Sequence, residues 1–190
     1  MSSVLNSVEA RVTAEMNEQL LLPYEDEEIK AALFHMHPSK SPGPDGASLE
    51  NANLTHLCLI PKIKEPKEAS HFRPIALCNV LNRIASKVVA NRLKRLLPDI
   101  ISPLQSAYVP GRLISDDTLI ATEVAHFMHG LRKQQGFFSL KLDISKAYDR
   151  LEWHFLEAML LKLGFAQAWV TQIMLGVTSV QYSILLNGAH

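Results

Sequence analysis

The stretch Phe137–Trp153 of this chain, FFSLKLDISKAYDRLEW, changes its hydrophobic period at Asp143. Over residues 138–142 apolar and polar side chains alternate, which predicts a buried strand. From Ser145 to Leu163 the apolar residues recur every three or four positions, which predicts a helix. An aspartate between a buried strand and a helix is either a ligand or metal residue or an ordinary helix cap, and the spacing favours neither interpretation.

Other polar residues near this stretch also fit two roles. The Tyr148 ring, one turn into the predicted helix, could lie over the strand end and contact a bound sugar, although the same spacing suits a core tyrosine. Asp149 fits a structural first-turn acid or ion-pair partner, and Asp116 and Asp117 fit the start of another helix. A two-metal site needs two or three carboxylates around ions roughly 4 Å apart, so Asp143 would need partners.

The periodicity and the turn residues predict the other elements. A helix should begin at the acids after Pro23 and end before Pro38. Further elements are a buried strand over Leu57–Ile60, a basic amphipathic helix over Val80–Leu97, a helix over Ser115–Arg132 with Ser115 as its cap, a helix to about Leu175 and a strand over Tyr182–Leu186.

The charge of the chain is strongly segregated. The 190 residues have a net charge of zero and 47% hydrophobic content, enough for one domain with a core. Residues 62–95 nevertheless carry nine cations against two acids. This excess indicates a local anionic partner rather than a generally adhesive surface, although charge runs on a helix are usually only a solvated face. This basic block comprises Lys62, Lys64, Lys67 and Arg73 in a loop or hairpin, and Arg83, Lys87, Arg92, Lys94 and Arg95 on the predicted helix. The first four of these helix cations are expected on its exposed side.

Several classes of protein are disfavoured. Two cysteines without a C-x-x-C pair indicate neither a disulfide scaffold nor a zinc module. The pairs His35/His37 and His126/His129 lack further ligands and fit ordinary residues. The chain has no signal-peptide pattern and no long apolar run, so we expect an intracellular protein of the nucleus or cytoplasm, without a membrane segment.

Four motifs in order carry a family resemblance. They are EEIKAALFHMHPSKSPGPDG, LCLIPKIKEPKEASHFRPIALCNVLNRIASKVVANRLK, PLQSAYVPGRLISDD and FFSLKLDISKAYDRLEW. Together they resemble the reverse transcriptase domain of LINE-type non-LTR retrotransposons, particularly those of plants. The resemblance implies an α+β fold, an incomplete right-hand polymerase with long helices around a small antiparallel sheet. Residues 1–50 would be an acidic lead-in, 51–135 the fingers and 136–190 the start of the palm.

The resemblance also implies roles for individual residues. Asp143 matches the first metal-binding aspartate of the palm, with the Ile144 carbonyl as a second Mg²⁺ ligand, and Tyr148 matches the position that discriminates against a 2′-hydroxyl. Lys62 and Arg73 match fingers residues that approach the triphosphate or the template. An RNA template and a DNA primer are the implied partners, and the remaining cations implied to bind nucleic acid are Arg83, Lys87, Arg92, Lys94, Arg95 and Arg112.

The chain also departs from the family pattern. Only ASLENANLTH separates GPDG from LCLIPK, and the chain stops at LLNGAH, before the family's glycine-glutamine and paired-aspartate motifs. An endonuclease, the rest of the palm and a thumb are likewise missing. We therefore expect a polymerase fragment that is inactive by itself and whose strand 182–186 lacks its hairpin partner. The alternatives are a noncatalytic nucleic-acid-binding remnant and a nonfunctional product of a decayed element.

Overall fold

Eight helices and three strands make up the part of the chain that this computed structural model describes, residues 2–36, 53–130 and 136–185. The helices are α1 (Ser2–Asn6), α2 (Ala14–Leu21), α3 (Asp26–Phe34), α4 (Val80–Ile100), α5 (Ile114–Gly130), α6 (Ala147–Arg150), α7 (Trp153–Leu163) and α8 (Gln167–Thr178). The strands are β1 (Leu54–Pro61), β2 (Phe72–Cys78) and β3 (Gln181–Leu185), with a 3₁₀ turn at Ala69–His71. The α+β class is as predicted.

The chain divides into two compact units. Unit 1 comprises Met1–Asn17 and Leu93–Ala166, and unit 2 comprises Glu18–Arg92 and Gln167–His190. Unit 1 has Val12, Ile100 and Phe165 among its buried apolar side chains. Unit 2 buries Leu20, Ala32 and Val88 together with the fully buried Trp169 and Val170. The division into lead-in, fingers and palm stays a prediction from the resemblance.

Unit 2 contains a three-stranded sheet in the order β2-β1-β3. Strands β1 and β2 form an antiparallel hairpin, in register from Thr55 opposite Cys78 to Pro61 opposite Phe72. Strand β3 pairs with β1 in parallel, so the expectation of an antiparallel sheet is wrong for β3. The backbone groups on the second edge of β1 need partners, and β3 supplies them.

The predicted strand over residues 138–142 is absent from the structure. Residues 136–144 have no regular secondary structure, and the Phe138 and Leu142 side chains are 88% and 82% exposed. Alternation of apolar residues makes a strand only when another strand supplies hydrogen bonds. None of the three described strands pairs with this segment, so the prediction of a buried strand here is wrong.

The predicted helix boundaries are partly right. Helix α4 covers the predicted basic helix, and α3 begins among the predicted acids and ends before Pro38. Asp116 and Asp117 lie in the first turn of α5, but this helix begins at Ile114, so Ser115 is not its cap. The helix predicted to run from Ser145 to Leu163 is interrupted, because Leu151 and Glu152 have extended backbone between α6 and α7.

A glycine turn in unit 1 joins the end of α7 to the N-terminal segment. Gly164 has a φ of +98°, and the N–H groups of Gly164 and Phe165 donate to the carbonyls of Leu161 and Leu160. This pattern is the Schellman motif, in which a left-handed residue ends a helix. The Leu163 carbonyl accepts from the N–H groups of Arg11 and Val12, and Asn17 bonds both the Gly164 carbonyl and the Ala166 N–H. The turn is therefore tightly enclosed.

We predict that Gly164→Ala destabilises the protein. A Cβ at this position would lie 2.9 Å from the Val12 carbonyl oxygen, and the left-handed backbone costs an L-residue about 1–2 kcal/mol in addition. Gly176→Ala in α8 is the matched control, because a Cβ there meets nothing within 4 Å and should stabilise the helix by about 0.5–1 kcal/mol. Urea unfolding of both variants measures the effect. Equal stability of the two would contradict the enclosed turn.

Candidate functional site

Arg92 is buried rather than exposed, so its predicted place on the exposed side of the basic helix is wrong. Its side chain is 6% exposed in unit 2, and its Nε and Nη2 donate to the two Glu28 carboxylate oxygens at 2.9 and 2.6 Å. The guanidinium also stacks on the Tyr24 ring, 3.9 Å from the centroid. The hydrogen bond to Glu28 raises the pKa of Arg92, and burial opposes this effect.

The remaining Arg92 donors bind backbone carbonyls. Nη1 donates to Leu20 and Leu22 at 3.0 and 2.5 Å, and Nη2 donates to Pro23 at 2.7 Å. All five N–H groups of the guanidinium are thus used. Arg92 therefore has no donor left for a phosphate, and its role is structural.

Helix α4 shows why Arg92 is buried. The buried residues of this helix are Val88, Arg92, Leu96 and Ile100, which follow one another at intervals of four. Residues at this spacing lie on one side of a helix, so Arg92 sits in the middle of the apolar stripe. Sequence reasoning missed this signal by grouping Arg92 with the neighbouring cations.

The other predicted cations of α4 remain accessible. Lys94 and Arg95 are exposed, whereas Arg83 and Lys87 are half-buried. Their long side chains can pack along the protein and still present a charge to solvent.

The β1–β2 hairpin brings Lys62 and Arg73 together. Arg73 lies opposite Ile60, and beyond the last strand pair the Lys62 N–H donates to the His71 carbonyl at 2.8 Å. Lys62 directly follows β1 and Arg73 is the second residue of β2, so both residues lie at the same end of the hairpin. Both side chains are exposed, and the Lys62 amine donates to the Ser70 carbonyl at 3.0 Å. This is the basic hairpin that the sequence predicts.

Arg112 binds backbone at the end of α4 in unit 1. Its Nη1 donates to the Ser102 and Gln105 carbonyls at 2.6 and 2.7 Å, and its Nη2 donates to Pro98 and Ile101 at 3.0 and 3.3 Å. Cations at a helix C-terminus satisfy its last carbonyls and complement its dipole. The structure thus gives Arg112 a structural role, and four of its five donors are occupied.

The predicted metal ligands lie in an exposed segment of unit 1. Asp143 and Ile144 belong to the irregular residues 136–144, and Ile144 is 69% exposed. Among residues 2–36, 53–130 and 136–185 no three acidic, histidine or cysteine side chains are grouped as a metal site would require. Carboxylate and carbonyl oxygens suit Mg²⁺, so Asp143 and Ile144 fit part of such a site.

Tyr148 is paired with a residue that the sequence did not single out. Both Tyr148 and Tyr108 are 82% exposed, so neither is the core tyrosine that spacing allows. A hydrogen bond to Tyr108 raises the pKa of Tyr148, and the charge of an ionised Tyr108 acts in the same direction.

Two further findings concern the described part of the chain as a whole. None of its helices combines the length and the hydrophobicity needed to cross a membrane. Cys58 and Cys78 are free, and the hairpin register places them opposite Ile75 and Thr55 rather than opposite each other.

Comparison with known proteins gives three matches. The family model described as reverse transcriptase (RNA-dependent DNA polymerase) matches residues 60–188. The transposon TX1 uncharacterized 149 kDa protein of Xenopus laevis is 26% identical over 204 residues, which cover 93% of this chain and 15% of that protein. The retrovirus-related Pol polyprotein from type-1 retrotransposable element R2 of Popillia japonica is 26% identical over 171 residues, which cover 75% of this chain and 22% of that protein. The chain thus spans less than a quarter of either relative.

We predict that Arg92→Lys destabilises the protein strongly. Lysine keeps the charge but has three N–H donors instead of five, so at least two buried acceptors lose their partner at a cost of about 2–4 kcal/mol. Arg95→Lys is the matched control on the exposed side of the same helix and should change stability by less than about 0.5 kcal/mol. Denaturant unfolding compares the two, and a tolerated Arg92→Lys would argue against the structural role.

Proposed function

The chain belongs to the reverse transcriptase (RNA-dependent DNA polymerase) family, in the form found in LINE-type non-LTR retrotransposons, and on this premise we propose that it supplies the nucleotide- and template-binding part of an RNA-directed DNA polymerase. Its partners are then an RNA template and a DNA primer, in the nucleus or cytoplasm. The observation that best supports the proposal is the position of two exposed cations, Lys62 and Arg73, at the same end of the β1–β2 hairpin.

Two exposed cations at the same end of a hairpin suit a polyphosphate or a nucleic-acid backbone. A guanidinium binds phosphate oxygens in a fork, and an ammonium acts as a mobile point charge. The Lys62 bond to the Ser70 carbonyl is exposed, so a phosphate can replace this acceptor at small cost. Lys64 and Lys67 at the exposed tip of the hairpin add positive charge beside this pair.

The cations of α4 extend this role. We assign Arg83, Lys87, Lys94 and Arg95 to contacts with the nucleic-acid backbone. Arg92 is left out because it is buried, and Arg112 because four of its five donors bind backbone carbonyls at the end of α4. Phosphate contacts of this kind position a nucleic acid without reading its sequence. Binding should therefore be independent of sequence and steeply dependent on salt.

The chemistry that we propose for the intact polymerase is attack of a primer 3′-hydroxyl on the α-phosphate of a deoxynucleoside triphosphate. Asp143 and the Ile144 carbonyl would hold Mg²⁺, which when bound neutralises the developing charge. Tyr148 would contact the nucleotide sugar and exclude a 2′-hydroxyl. One carboxylate cannot fix two ions, so further acidic residues must join Asp143 before the chain catalyses the reaction.

We also propose that the intact protein is a right-hand polymerase of a plant-type element. Residues 51–135 would form its fingers and residues 136–190 the start of its palm. A noncatalytic nucleic-acid-binding protein is the second candidate, favoured because the basic hairpin is formed while Asp143 lies on an irregular exposed segment. Binding of an RNA–DNA hybrid and a primer-extension assay distinguish the polymerase fragment from the noncatalytic binding protein.

We predict that the chain binds an RNA–DNA hybrid with a steep salt dependence. Lys62→Gln and Arg73→Gln should each lower the slope of log affinity against log salt by about 1, because each removes one phosphate contact. Filter binding across a series of KCl concentrations measures the slopes.

The matched control for these variants is Lys30→Gln. Lys30 is an exposed cation of α3 that lies 3.8 Å from Glu27, so its loss should leave the slope unchanged. A flat salt response of the wild type, or equal effects of all three variants, would contradict the proposed interface. Failure to bind the hybrid together with non-cooperative unfolding would instead fit a nonfunctional product of a decayed element.

We predict that the 190-residue chain does not extend a DNA primer on an RNA template in the presence of Mg²⁺, because no cluster of acidic side chains includes Asp143 among residues 2–36, 53–130 and 136–185. A primer-extension assay with purified protein tests this. Mg²⁺-dependent synthesis that Asp143→Ala abolishes and Asp149→Ala retains would contradict the prediction and would mean that the chain holds a complete metal site.

A further inference from the structure

Residues 137–144 of unit 1 present large apolar side chains to solvent with the period of a strand. Phe138, Leu140 and Leu142 are 88%, 70% and 82% exposed, and the residues between them are polar. In an extended chain, side chains at this spacing lie on one face. Monomeric proteins rarely leave a large apolar face uncovered, and such a face marks an interaction surface. These residues therefore suit contact with another chain.

The backbone of the same residues is open to a partner. No backbone hydrogen bond joins residues 136–144 to another described residue, and none of the three described strands pairs with them. A strand added beside this segment would bind its N–H and C=O groups and cover its apolar face at the same time. A docked helix would cover the side chains but would leave the backbone groups without partners. The partner that fits is thus another strand.

The segment is complementary to itself in an antiparallel pair. When two copies pair about Leu140, Phe138 lies opposite Leu142 of the partner subunit, and the two Leu140 residues lie opposite each other. Apolar cross-strand pairs of this kind stabilise a sheet. On the other face Ser139 lies opposite Lys141 of the partner subunit. Because Lys141 is the only charged residue among residues 137–142, no like charges face each other in this pair.

The area of the exposed apolar face also fits an interface between two copies. A fully buried phenylalanine ring covers about 150–250 Å². With the exposed fractions of Phe138, Leu140, Leu142 and Ile144, the face offers about 500 Å² per copy and about 1,000 Å² for the pair. This area reaches the lower end of the range for specific protein interfaces. A second copy therefore supplies both a neighbouring strand and sufficient apolar surface.

We propose that residues 137–142 form an interface between two copies of this chain, in which the two segments pair as antiparallel strands about Leu140. This interface does not depend on the proposed polymerase function. Asp143 of each copy would lie opposite Phe137 of the partner subunit, so the two Asp143 residues would be about 20 Å apart along the strands. Association thus leaves each Asp143 without the other carboxylate, and the dimer should be inactive in primer extension.

Sedimentation equilibrium of the purified full chain tests the association. The wild type should have twice the mass of one chain. Leu140→Lys should raise the dissociation constant about a hundredfold or more, because two lysines then lie opposite each other in place of two leucines. Ile120→Lys is the matched control, since Ile120 is 62% exposed on α5 of the same unit and should leave the association unchanged.

Circular dichroism of both variants verifies that they remain folded. A wild type that is monomeric at every concentration, or that forms a series of ever larger species, overturns the proposal. Association that is lost in Ile120→Lys and kept in Leu140→Lys also overturns it, because α5 would then be the interface.

Oxidative cross-linking tests the register of the pair. Residues directly opposite each other in antiparallel strands have Cα atoms about 4.5–5.5 Å apart, within reach of a disulfide. Leu140→Cys should therefore give a cross-linked dimer on a non-reducing gel, above the background of the wild type with Cys58 and Cys78. Leu142→Cys is the control, because the two substituted positions would be four residues out of register, about 13 Å apart. Equal cross-linking of the two variants, or none above background in Leu140→Cys, overturns the antiparallel pair.

Discussion

Unit 2 depends on the buried guanidinium of Arg92. A buried cation is tolerated only when every donor has an acceptor, and Arg92 meets this condition with Glu28 and three carbonyls of the preceding segment. Glu28 also accepts the Glu25 N–H at 3.2 Å and so caps α3. One ion pair therefore joins the start of α3 to α4, the helix that follows the basic hairpin.

This constraint divides the cations of the chain into two kinds. The Arg92 guanidinium is buried and binds protein acceptors, and outside the basic block the Arg112 guanidinium binds backbone carbonyls at the end of α4. The exposed lysines, together with Arg73 and Arg95, keep their charge at the surface. The high positive charge of residues 62–95 is thus compatible with folding, because the cations that stabilise the fold are distinct from those that we propose bind phosphates.

Local signals in the sequence predicted several of the helices correctly. The acidic residues that precede an apolar stripe predicted the start of α3, and the helical period of the apolar residues predicted α4. Both signals are local, because neither needs a partner distant in the sequence. The prediction of a strand over residues 138–142 failed because a strand needs a neighbouring strand for its hydrogen bonds, and the period of the apolar residues does not show whether such a neighbour exists. Arg92 was misplaced because its charge was weighed above its spacing from Val88 and Leu96.

Amide hydrogen exchange of the free chain and of the chain saturated with an RNA–DNA hybrid tests the central claim most directly. Each element of a protein opens locally with its own free energy, and this free energy sets how strongly its amides are protected from exchange. Bound nucleic acid should therefore raise the protection of the amides at the surface that it contacts. The account predicts new protection in the hairpin from Ile60 to Arg73, with exchange around Glu28 and Arg92 unchanged. Protection confined to residues 2–36, with the hairpin unaffected, would contradict the proposed interface.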